Sequence, residues 1–177
     1  VNVESLFAEA VARLQQRSIT ADRLSELPPF KQWRAAFQAQ GLKASKYLCS
    51  VEALTKRVLK DGCVVTPVPG VNVYNAISVG HQAPMGAVDR HTLRSSEITL
   101  RLARPEVDQF APLGGKPEDF PLTPEVAVYA QGNQVLTWGI NHRDSVHTAL
   151  RATTNEAVFF ADAVTPDGAK AAVDALQ

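Results

Sequence analysis

Between residues 1 and 17 the apolar side chains recur at helical spacing. Val3, Leu6, Phe7, Ala10, Val11 and Leu14 fall on one face, which predicts an amphipathic helix. Pro28-Pro29 breaks the chain, and Phe30, Trp33 and Phe37 then mark a second helix, with Gly41 where a C-cap glycine belongs. Ser50 is placed to cap a third helix, with Val51, Leu54 and Val58 inward and Gly62 at its end. In the second half the period changes. Ile98, Leu100 and Leu102 alternate with Thr99 and Arg101, the pattern of a half-buried strand. Val126 and Val128 alternate before the turn residues Gln131-Gly132-Asn133, and Val135 to Trp138 returns, which predicts a hairpin. Ala157 to Val164 forms a further strand, and Thr165-Pro166 opens a last helix through Ala169, Val173 and Leu176. The stretch 103–124 is rich in proline and glycine and is expected to cross one face as a long loop. No helix is assigned to the polar cluster Asn72-Val73-Tyr74-Asn75 with Ser78, and Pro84 to Asp89 reads as a short apolar loop ending in an acid. Helices first, then strands, then a closing helix give an α+β fold class.

Length and charge narrow the picture without naming a chemistry. The 177 residues make one domain, spanning 1–177. Formal net charge is zero, whereas a protein that grips many nucleic-acid phosphates is usually basic. A partner that touches only the end of an RNA needs fewer phosphate contacts, so RNA stays open while DNA is not expected. Cys49 and Cys63 form no CxxC pair and match no zinc spacing, which fits reduced thiols in a cytoplasmic protein. No apolar run reaches membrane-spanning length, and no signal peptide is visible. The chain begins at Val1 rather than Met, so its start is read as trimmed or disordered.

The densest polar stretch is Asn141-His142-Arg143-Asp144-Ser145-Val146-His147-Thr148, directly after the strand that ends at Trp138. His142 and His147 are five residues apart, unsuited to two ligands on one helical turn, and no metal or cofactor is expected. GxSxG, HExxH, Walker and GxGxxG patterns are absent. Each polar cluster alone has an ordinary structural role available, as turn, cap or surface pair.

Their order and spacing are more specific. The run Lys46 to Gly62 resembles a KYRxSxEALxKRxLKxG segment. Val73 to Ser78, Pro84-Met85-Gly86 with Asp89, Ile98 to Ala103, and Glu125 to Ala130 (a GEVVYxD-type strand) come next in register. Asn141 to Ser145, then Thr148 and Thr153-Thr154-Asn155, resemble an NWRDS…T…TTN signature. Together these are similar to the editing module of the phenylalanyl-tRNA synthetase beta subunit, its third and fourth domains, most strongly over 33–160, and more closely to free-standing proteins made of that module alone.

The resemblance implies a mixed, barrel-like β-sheet with helices packed around it. It implies a hydrolase working in trans on mischarged aminoacyl-tRNA, by water-mediated ester hydrolysis without a protein nucleophile. The expected partner is the 3′ end of an aminoacyl-tRNA, and an aminoacyl-tRNA synthetase is a second. Asn75, Asn141 and Asp144 are the expected catalytic residues. Tyr74, Gly86, His142, Arg143, Thr148, Thr153 and Thr154 are expected to bind substrate, and Lys46, Tyr47, Lys56 and Arg57 the tRNA. Some positions depart from the module. His142 stands where free-standing members usually carry Trp, Gly86 where the synthetase carries histidine, and Asp144 near its tyrosine-reading glutamate. The pocket is therefore expected to be smaller and more charged than one for tyrosine. Two competing readings are a non-catalytic module that binds a tRNA end or an amino acid, and a piece of a longer synthetase subunit.

Overall fold

The computed structural model describes residues 2–174, without the side chains of Ala169 and Ala172. Leu176, expected on the last helix, lies outside the described residues. Helix α1 spans Val3–Gln16 and starts at Asn2, whose side chain accepts from Ser5 N at 3.2 Å. Phe7, Ala10 and Leu14 are its buried stripe. The proline pair does not simply break the chain. It occupies the first turn of α2 (Pro28–Ala39), where a missing N–H costs nothing. Gly41 comes next with φ +72, the left-handed conformation expected after a helix end.

Helix α3 runs Ser50–Asp61 and ends at Gly62, φ +79. Its cap differs from expectation. Cys49 is the N-cap, Ser50 is the first helical residue, and the acceptor for Ser50 N is Asn141 Oδ1 at 3.4 Å, from far along the chain. Helix α4 (Pro69–His81) was not legible as a helix. Gly70, Val71, Val73 and Gly80 are weak helix formers, and the segment packs against α1, α3 and the first strand, so it has no clean amphipathic stripe. A Cβ on Gly80 would stand 3.7 Å from Ala10 Cβ, which shows how close the two backbones lie.

The strands form two separate antiparallel sheets rather than one mixed, barrel-like sheet, and no barrel closes among the described residues. The apolar segment expected to be a loop is strand β1 (Met85–Asp89), paired with β6 (Ala157–Ala161) so that Gly86 stands opposite Phe160. The larger sheet has the order β2-β3-β4-β5, with β2 at Thr99–Leu102, β3 at Ala127–Gln131, β4 at Gln134–Trp138 and β5 at Arg143–Asp144. The β3–β4 hairpin turns at Gly132-Asn133, and Gly132 takes φ +58. Edge strand β2 is less buried than its alternation suggested: Leu100 is 52% and Leu102 57% exposed. The inward group is Arg101, held by Asp108 through two 2.7 Å hydrogen bonds. The 103–124 segment does cross one face, tied to β4 by Gln109 and to Ser145 by Pro112. Helix α5 (Pro166–Asp174) closes the described chain. Among the described residues no helix is long and apolar enough to cross a membrane.

The core joins the helices to the larger sheet through Phe7, Phe30, Phe37, Val58, Val128 and Trp138. One ion pair lies inside it. Glu52 is fully buried, and its carboxylate accepts from Arg34 Nε at 3.0 and 3.2 Å. Lys56 adds a 3.8 Å contact from the next turn of α3.

Candidate functional site

The polar stretch after Trp138 is a tight reversal. Gly139 (φ 62) and Ile140 (φ 62) both adopt left-handed conformations, and the chain returns so that Arg143 pairs with Trp138 and Asp144 with Thr137. A β-branched residue in that region costs on the order of 1–3 kcal/mol and persists only when its surroundings impose it. Here Ile140 N donates to Ala127 O at 3.0 Å and Asn141 N to Gly139 O at 2.7 Å. The reversal places Asn141 over the N-terminus of α3, while Asp144 faces the smaller sheet.

Two adjoining cavities lie there. A chamber of about 70 Å³ is lined by Ser50, Met85, Gly86, Tyr129, Thr137, Ile140, Asn141, His142, Asp144, Phe160 and Asp162. A larger cavity of about 260 Å³ is lined by Leu48, Ser50, Ala53, Leu54, Arg57, Asn75, Ser78, Met85, His142 and Arg143. Ser50, Met85 and His142 line both. Ser50 Oγ, Asn141 Nδ2 and Arg143 Nε are buried without a hydrogen-bond partner. Buried polar groups are rarely left so.

Two carboxyl groups face the small chamber. Burial pushes Asp144 from the ordinary 3.8 up to about 6, and the charge of Asp162 adds to the rise. Thr137, whose hydroxyl lies 3.3 Å from Asp144 Oδ1, and Arg143 oppose it. Asp144 is half-buried and lines the chamber. Burial also pushes Asp162 up to about 6, opposed by Tyr129, which donates to Asp162 Oδ1 at 2.6 Å, and by the amide of Asn141. That amide lies near Asp162 but outside hydrogen-bond geometry.

His142 Nδ1 lies 2.7 Å from the carbonyl of Leu48. A carbonyl only accepts, so Nδ1 carries the proton, and in the neutral ring Nε2 is an acceptor. Burial holds the His142 pKa below its usual 6.5, against the pull of that carbonyl, and nearby Arg143 lowers it further. The ring packs among Tyr47, Trp138 and Phe120 at centroid distances of 5.2, 5.6 and 5.8 Å.

The expected site residues separate into groups. Asn141, His142, Asp144 and Gly86 meet at the small chamber, and Asn75, Arg143 and Arg57 at the larger cavity. A Cβ on Gly86 would meet nothing within 4 Å, so this position leaves space open. Tyr74 is buried against Phe159 on the smaller sheet, and burial followed by the Asp144 charge raises its hydroxyl pKa. Thr148 is fully buried outside both cavities, with an unpartnered hydroxyl. Thr154 donates to Asp89 Oδ2 at 2.6 Å and so ties its loop to β1, while Thr153 is exposed on that loop. Tyr47, expected to bind the tRNA, is buried, donates to Asp119 O at 2.9 Å and packs on Trp138, so its ring is part of the core. Lys46 lies over the Tyr47 ring, and Lys56 leans on Glu52. Ser50, Met85, Thr137, Tyr129 and Asp162 were not expected at the site. The available signal for Asp162 was a lone acid closing the apolar strand Ala157–Ala161. Cys49 is not a nucleophile in waiting: burial pushes its thiol up to about 12.

A family model described as the B3/4 domain matches residues 32–175. The chain belongs to the B3/4 domain family. This domain is the editing-type module of the phenylalanyl-tRNA synthetase beta subunit and is associated with tRNA binding and editing. No curated protein and no solved structure matched the chain. Both cavities lie among residues inside the matched span.

Proposed function

We propose that this B3/4 domain hydrolyses the ester of mischarged aminoacyl-tRNA in trans. The observation that carries this reading is the convergence of Ser50 Oγ, Asn141 Nδ2 and Arg143 Nε, all unpartnered, on two adjoining cavities beside a helix N-terminus. Donors that wait without a partner suit an oxygen whose charge grows during the reaction, and the positive end of α3 adds to them. The larger cavity, with Asn75, Arg57 and Arg143, receives the terminal ribose and nucleotide. The small chamber receives the amino acid, with Asp144 facing its α-ammonium.

Water attacks the ester carbonyl, and His142 Nε2 accepts its proton as the new carbon–oxygen bond forms. Ser50 and Asn141 stabilise the oxyanion. The bond from the carbonyl carbon to the ribose oxygen then breaks, the ribose oxygen takes the proton back from His142, and a free amino acid and an uncharged tRNA leave. The protein contributes position and electrostatics and forms no covalent intermediate.

The test is loss of charge from a panel of aminoacyl-tRNAs incubated with the purified protein. Hydrolysis should fall about 10²-fold in Asn141→Ala, the usual scale for one oxyanion donor, with a cooperative melting transition retained and only about 1 kcal/mol lost with the cap on Ser50 N. Binding of tRNA or amino acid with no loss of any ester would instead make this a non-catalytic binding module.

A further inference from the structure

The small chamber carries more information than the presence of an ester site, and the selectivity argued from it rests on the hydrolytic reading of the two cavities. Its volume is about 70 Å³. An apolar cavity that admits benzene has about 150 Å³, and a water in the liquid takes about 30 Å³. The chamber therefore has room for about two water-sized groups, less than half the space of the cavity that takes benzene. Its polar wall has a definite sign. Asp144 and Asp162 present two carboxylates, each already given one hydroxyl donor, from Thr137 at 3.3 Å and Tyr129 at 2.6 Å. A carboxylate has room for several donors, so both retain accepting capacity. Every aminoacyl ester brings one donor group, its α-ammonium. The second carboxylate is left for a donor on the side chain. Met85, Ile140 and Phe160 supply the apolar remainder of the wall.

We infer that this chamber selects aminoacyl esters with a small, donor-bearing side chain, serine first and threonine next, with Asp162 as the specificity-determining acceptor for the side-chain hydroxyl. An alanyl ester fits by size but leaves that carboxylate without its donor. A tyrosyl or phenylalanyl ester does not fit.

The experiment compares initial deacylation rates on glycyl-, alanyl-, seryl-, threonyl-, tyrosyl- and phenylalanyl-tRNA, for the wild type and for Asp162→Asn. The expected result is a seryl ester cleaved at least about 10-fold faster than the alanyl ester, consistent with one hydrogen bond to a charged group, and aromatic esters left intact. Asp162→Asn, checked for an intact melting transition, should bring the seryl-to-alanyl ratio towards one. Aromatic esters cleaved as fast as the seryl ester would overturn the size argument while leaving hydrolysis standing. A seryl-to-alanyl ratio near one in the wild type, or one unchanged in a folded Asp162→Asn, would overturn the role of Asp162. If no ester is cleaved, the hydrolytic reading itself fails and takes this inference with it.

Discussion

Replacing Asp162 by asparagine should stabilise the protein, by an amount that grows from about pH 4 and is complete above about pH 6. The carboxyl group is 8% exposed as a residue, and burial raises it from 3.8 to about 6. In the unfolded chain it would ionise near 3.8. Between those values the folded state holds a proton that the unfolded state has released, so stability falls as pH rises through that window. At 1.36 kcal/mol for each pH unit, the ionised form carries a cost of about 3 kcal/mol at pH 7 to 8, and none below 3.8. Asparagine never ionises and can still accept from the Tyr129 hydroxyl. Asp162→Asn should therefore match the wild type at pH 4 and exceed it by about 3 kcal/mol at pH 8, or about 6–12 °C in melting temperature for a chain of this size. His142 and His81 have lowered pKa values, both chiefly through burial. A neutralised histidine makes stability rise with pH up to about 6.5, against the aspartates, so the difference between variant and wild type is the clean quantity. Urea unfolding of both proteins at pH 4 and pH 8 measures it. A gain equal at the two pH values, or a loss at pH 8, would refute the buried-charge argument.

Three further outcomes are expected. Hydrolysis should fall in acid: protonation of Asp144 near pH 6 removes the partner of the α-ammonium, and protonation of His142 at a pH below 6.5 removes the acceptor at Nε2, so a pH–rate profile should rise to a plateau near neutrality. Arg34→Met leaves fully buried Glu52 with only Lys56 at 3.8 Å and should cost about 3–5 kcal/mol, most of it recovered in Arg34→Met with Glu52→Met, as read by chemical denaturation. Cys49→Ala should keep full deacylation and lose only about 1–2 kcal/mol of packing, because the buried thiol has its pKa pushed up to about 12; loss of turnover with the fold intact would contradict its structural role.

Local pattern alone specified a good part of this protein. Periodic apolar positions gave α1 and α2, and the Gly132-Asn133 turn gave the β3–β4 hairpin, because each of these elements buries one face and contacts neighbours near in sequence. The ordered motifs gave the family. Helix α4 and strand β1 escaped because each is covered on more than one side, which erases the alternation that a one-faced element shows. The splitting of the strands into two antiparallel sheets was equally invisible, since pairing is settled between segments such as Met85–Asp89 and Ala157–Ala161 that lie far apart in the chain. The site divides the same way. Asn141, His142 and Asp144 were legible as a dense polar run, yet what they do depends on partners brought from elsewhere. Asn141 meets Ser50 at the start of α3, His142 meets the carbonyl of Leu48, and Asp144 meets Asp162 across the chamber. Sequence fixes which groups a chain owns. Only tertiary packing decides which donors are left without partners and which carboxylates lose their water, and those two facts make a cavity a site.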